Sequence, residues 1–144
     1  MLAHLLKPSM PGRGSIVIAA LYEGLGEYSG IYIGDHQIIT LSNKHTPVQM
    51  SIEEFSHIHS TRFKSEIYWA CHLFNRQPVR FPEAAQRALH TLNNNSYKTM
   101  LINSHQFCSG CITGDFDNED AQLSELKKRI KELYPHRHVW NKQA

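Results

Sequence analysis

The sequence predicts an α+β domain, a small antiparallel sheet packed by helices, and two observations carry that expectation. Glu27 to Ile33 and Gln37 to Leu41 are β-rich runs, the first alternating, that flank the tight turn Gly34-Asp35-His36, which is a hairpin signature. Two helices then announce their own starts. Pro82 sits at a first helical position, and Asn103 with Gln106 forms an N-cap and capping box. A chain of 144 residues is long enough for one core, so a single domain over residues 1–134 is expected.

The elements follow in order. After the turn-rich Pro11-Gly12-Arg13-Gly14, Ser15 to Tyr22 reads as a buried strand, and Glu23 to Gly26 as a turn. Beyond the hairpin, Ser42 to Thr46 is a polar loop and Val48 to Met50 a short strand. Ser51 and Glu54 form a capping box that opens a helix through Ile58. Glu66 to Cys71 is a further strand. The Pro82 helix runs to Leu92, with Ala84, Ala85, Ala88, Leu89 and Leu92 on one face, and Asn93-Asn94-Asn95 stops it. Tyr97 to Ile102 leads into the Asn103 helix, whose stripe of Phe107, Cys108, Cys111 and Ile112 ends at Gly114. A last helix, about 118–133 and capped by Asp117, places Leu123, Leu126, Ile130 and Leu133 on one face. Residues 135–144 read as a mobile tail carrying Trp140.

Composition narrows the function. Net charge is +2 and the 15 basic residues are scattered, apart from Lys127, Lys128, Arg129 and Lys131, which interleave with apolar helical positions. Nucleic-acid recognition calls for a basic stripe, so this pattern argues against it. No run of about 18 apolar residues occurs, and residues 1–14 lack the apolar core of a signal peptide. Cys71, Cys108 and Cys111 have no disulfide-framework spacing, and a soluble cytoplasmic protein with reduced thiols is the expectation. Ten histidines raise the question of metal. His105, Cys108 and Cys111, and the pairs His57/His59 and His136/His138, nevertheless lack the four-ligand spacing of a zinc site, so neither metal nor another cofactor is expected.

Ser104 heads the Asn103 helix, where unpaired amides and the helix dipole stabilise negative charge. A cysteine there would be acidified to a pKa of roughly 3.5–7.5, whereas a serine needs a separate base. The segments Pro11 to Leu41, centred on Tyr28-Ser29-Gly30-Ile31-Tyr32-Ile33-Gly34-Asp35, and Glu83 to Gly114 occur in an order and separation that resemble the lecithin:retinol acyltransferase-like family. That family is a circularly permuted branch of the NlpC-type, papain-like thiol enzymes. The two segments cover somewhat under half of the chain. The resemblance implies a permuted papain-like fold and thioester-forming acyl transfer or hydrolysis. It assigns the family's cysteine to Ser104, its histidine to Tyr28 and its second polar residue to Thr40, and all three differ from the family pattern.

A phenol ionises only near pH 10 in general and a threonine carries no basic group, so Tyr28 and Thr40 are not expected to serve as general bases at neutral pH. His105 is expected about 100° round the helix from Ser104, and His36 at the solvent-facing hairpin tip. The expected function is therefore a catalytically silent member of the family. Its cleft would bind a protein or a small acyl-bearing ligand through a rim that includes Asn103, Ser104, His105, Tyr28, Thr40 and His36, with Tyr28 and Ser104 hydrogen-bonded to each other. Two rival expectations remain: an active enzyme using Ser104 or Cys108, and an interaction module acting through the last helix and Trp140.

Overall fold

Strand β1 (Ile16–Ala20) is the centre of the sheet, because its small and branched apolar side chains are buried on both faces. A computed structural model describes residues 10–20, 26–94, 101 and 103–143 of the chain. Among these, β1 is followed by β2 (Glu27–Gly34), β3 (Gln37–Leu41), β4 (Pro47–Ser51), β5 (Glu66–His72) and β6 (His138–Lys142), in the spatial order β4-β3-β2-β1-β5-β6. Every pairing is antiparallel. The α+β class with an antiparallel sheet is thus observed. Of the expected Glu23–Gly26 turn only Gly26, and of the Tyr97–Ile102 lead-in only Leu101, fall within the described residues.

The β2–β3 hairpin turns at Asp35 and His36, whose φ angles of 52° and 60° are those of a type I′ turn matched to strand twist. Ser51 ends β4 and caps α1 (Ile52–Ser56), accepting from the Glu54 amide at 3.0 Å while Glu54 Oε1 accepts from the Ser51 amide. Helix α2 (Ala84–Leu92) buries Ala84, Ala85 and Ala88, the face expected from its spacing. Helices α3 (Ser104–Thr113) and α4 (Leu123–Leu133) complete the described set.

Strand alternation divides the core. Ile16, Ile18, Ile31, Ile39 and Leu41 face α2, α3 and α4, while Val17, Ala19, Tyr32, Ile38, Ile67 and Trp69 pack with Ile52 and Phe55 on the other side. No described helix is long and apolar enough to cross a membrane.

Two sequence expectations are corrected. Helix α4 starts at Leu123, not near 118, because the acidic segment before it satisfies its polar groups locally. The Asp117 amide donates to Asp115 Oδ1 at 2.9 Å and the Asp120 amide to Asn118 Oδ1 at 3.0 Å. Asp120 itself is buried and accepts from Ser109 Oγ and Arg129 Nε. The expected tail instead contributes β6, which pairs along β5 from Tyr68↔Lys142 to His72↔His138. Trp140 lies opposite Ala70 and packs on the helix-side core.

Candidate functional site

Helix α3 begins inside the molecule. Asn103 Oδ1 accepts from the His105 and Gln106 amides at 3.0 and 3.1 Å, and Gln106 Oε1 accepts from the Asn103 amide, as the capping box requires. Asn103 Nδ2 donates to the Ala121 carbonyl at 2.7 Å, which ties the start of α3 to the approach of α4. Every residue from Ser104 to Ile112 is buried, so the helix is enclosed rather than amphipathic.

The residue that meets this helix start is Ser29 on β2. Its amide donates to Ser104 Oγ at 3.1 Å, its hydroxyl bonds His105 Nδ1 at 2.8 Å, and its carbonyl accepts from Thr40 Oγ1 at 2.6 Å. Alternation explains the choice: Ser29 and Ile31 share the helix-side face, whereas Tyr28 and Tyr32 point to the other layer. Ser29 was not singled out in the sequence, although the same alternation could have identified it.

His105 follows Ser104 on the helix. It is 6% exposed and bonded to Ser29, because both faces of α3 are covered and a turn of about 100° leads to another buried environment. Burial pushes its pKa below the ordinary imidazole value, and a hydrogen bond with the Glu27 carbonyl offsets part of that shift. Thr40 is fully buried, and its Oγ1 donates to the Ser29 carbonyl. His36 is exposed at the hairpin tip. Tyr28 makes no hydrogen bond to Ser104 among the described residues; its ring stands edge-on to His59 at 5.1 Å. The expected Tyr28–Ser104 contact is thus replaced by Ser29–Ser104.

A cleft of about 790 Å³ opens over Ser104. Glu27 and Tyr28 of β2, His59, Asn103 to His105, and the stretch Ala121 to Ser124 with Lys127 line it. Of the six sequence-predicted site residues, it brings together Tyr28, Asn103, Ser104 and His105 and leaves out His36 and Thr40. His59 and Lys127 are additions. His59 Nδ1 bonds Ser65 Oγ at 2.8 Å. Burial also lowers the His59 pKa; the Gly26 carbonyl and the Glu27 charge oppose the shift.

Cys108, one turn below Ser104, is fully buried, and desolvation pushes its thiol up to about 12. Cys111 is shifted upward for the same reason. The described residues contain no group of three or more histidine, cysteine or acidic side chains placed to hold a metal ion. Comparison with known proteins gives no match among family models, curated proteins or solved structures.

Proposed function

We propose that this protein is a non-catalytic member of the lecithin:retinol acyltransferase-like family, of permuted papain-like fold, whose cleft over Ser104 binds a ligand without transforming it. The observation that carries the reading is the state of Ser104. Its Oγ accepts from the Ser29 amide, and among the described residues no imidazole or carboxylate is hydrogen-bonded to it. A serine nucleophile requires such a base, and general base catalysis is worth roughly 100- to 10,000-fold. His105 is adjacent, but its Nδ1 is engaged by Ser29 Oγ and burial makes the ring a weaker base.

The state of Cys108 supports the same reading, since a fully buried thiol with its pKa near 12 supplies no thiolate at neutral pH. Helix α4 buries Leu126 and Ile130 in its own core, so its apolar face already has a partner. The cleft volume falls within the range typical of small-molecule sites, about 300–1,000 Å³.

The test compares wild type with Ser104→Ala for hydrolysis of a p-nitrophenyl ester and for labelling by a fluorophosphonate probe. Equal background rates and no adduct are expected. A Ser104-dependent adduct or burst overturns the reading.

A further inference from the structure

We infer that the free edge of β6 is a docking site for an extended, acidic segment of a partner protein, which adds to the sheet as a further strand. No described residue of β6 lines the cleft over Ser104, so this surface is separate from that site and does not depend on its reading.

The edge is open along its length. The Leu73 amide donates to the Arg137 carbonyl and the Gln143 amide to the Ile67 carbonyl. Bonded pairs alternate in an antiparallel ladder, so Val139 and Asn141 bond β5 between those ends, and the amides and carbonyls of His138, Trp140 and Lys142 point away from it. None of these outward groups has a hydrogen bond among the described residues. The opposite edge is blunted by contrast. On β4 the outward positions are Pro47, Gln49 and Ser51, of which Pro47 has no amide and Ser51 gives its own to Glu54 Oε1. Unpaired edges invite strand addition and proteins blunt them where it is unwanted, so the bare β6 edge is where a strand can join this sheet.

Charge selects the occupant. Helix α4 runs beside β6: Lys127 Nζ lies 4.8 Å from the Trp140 ring centroid, and the Tyr134 ring centroid 5.9 Å from that of His138. Lys131, one turn beyond Lys127, is turned to the same side. Neither lysine, nor Arg137 at the head of the strand, makes an ion pair among the described residues. Glu66, the carboxylate of β5, is already held by Lys142 and Tyr68. Like charges four positions apart on a helix are unfavourable, and a carboxylate-bearing strand laid along β6 relieves them.

Alternation then sets the pattern of the guest strand. His138, Trp140 and Lys142 face the helix side, where Lys127 and Lys131 lie, and Val139 packs with the other layer. Glutamate on one face and valine on the other therefore match both sides of β6. A second copy of this chain fits less well: a twofold pairing of β6 about Trp140 sets His138 opposite Lys142 and joins two basic surfaces.

The experiment is hydrogen exchange by amide-resolved NMR on the full chain, alone and with an end-blocked peptide of alternating glutamate and valine; the same peptide with lysine for glutamate is the control. In the free protein the His138, Trp140 and Lys142 amides should exchange fast and those of Val139 and Asn141 slowly. The glutamate peptide should slow the outward amides roughly tenfold or more, and the lysine peptide should leave them unchanged. Lys127→Glu with Lys131→Glu should weaken the glutamate peptide about tenfold, the scale of reversing two exposed charge contacts. His138→Pro, which removes one outward amide at the start of the strand and no bond to β5, should weaken it roughly fivefold. The amide spectra themselves report whether each variant is folded. Slow exchange of the outward amides in the free protein, no protection with the glutamate peptide, equal protection by the lysine peptide, or equal affinity in the folded double lysine variant overturns the proposal. So does protection that grows with protein concentration alone, which assigns the edge to a second copy.

Discussion

The Ser29 amide donates to Ser104 Oγ at 3.1 Å, and this contact makes β2 the partner of the α3 helix start. Through its hydroxyl, Ser29 also holds His105 Nδ1 at 2.8 Å. Ser29→Ala keeps the backbone donor and removes the hydroxyl, leaving a buried imidazole nitrogen unpaired. A loss of about 1–3 kcal/mol is expected in urea unfolding, the usual cost of orphaning a buried polar group. A change under 0.5 kcal/mol would show that the His105 contact is not maintained in solution.

Burial holds the His105 pKa below its ordinary value of 6.5, and His59 is shifted in the same direction. The unfolded chain therefore takes up protons before the folded one does. Stability from these groups is fully present above pH 6.5 and falls as pH drops from there through the folded-state values. Urea midpoints measured between pH 7.5 and pH 5 should decline, and His105→Gln should flatten that decline. An unchanged slope in the variant contradicts the assignment to His105.

Cys71, Cys108 and Cys111 are all buried. Native protein at pH 8 should take up iodoacetamide only as fast as it opens, whereas Ser104→Cys should add one rapidly alkylated thiol at the helix start. Intact mass against time checks this. Fast native alkylation of Cys108 would revive it as a nucleophile.

Gly110 packs against Phe116 so closely that an added Cβ would lie 2.2 Å from the ring Cδ1. The ring is rigid, so Gly110→Ala must shift either Phe116 or α3. The expected cost is about 1–3 kcal/mol, typical of overpacking. Thermal unfolding of the single variant measures it, and a neutral result would mean that Phe116 moves freely.

Trp140→Ala tests β6. A partly buried ring in a paired strand should be worth about 1–3 kcal/mol, somewhat less than a fully buried tryptophan. A surface tail residue would register within about 0.5 kcal/mol.

The hairpin, the two capping boxes and the apolar face of α2 were legible because each is local: turn residues, cap residues and spacing lie within a few positions of one another. Strand β6 was not, since His138 to Lys142 is short, follows Pro135 and exists through pairing with residues about seventy positions earlier. Asp117 resembled an N-cap but stands in a chain of side-chain-to-backbone bonds that delays α4 to Leu123. At the site, Ser104 and Asn103 were legible from the cap. The Ser29–His105 bond was not, because it joins residues 76 positions apart. The resemblance gives Tyr28 the place of the family's histidine, yet the pleat turns Ser29 toward α3 and Tyr28 to the other layer. His59 and Lys127 enter the cleft from segments that carry no local motif.

Ser29 spends its amide, hydroxyl and carbonyl on three partners from two other elements, Ser104 and His105 on α3 and Thr40 on β3. A slip of β2 by one residue would turn Ser29 to the far face and break all three at once, in addition to inverting the apolar alternation. Mispaired hairpins are thereby penalised at a single position. The buried hydroxyl-bearing residues around Ser29 act as a proofreading device for strand register, a use that requires no chemistry at Ser104.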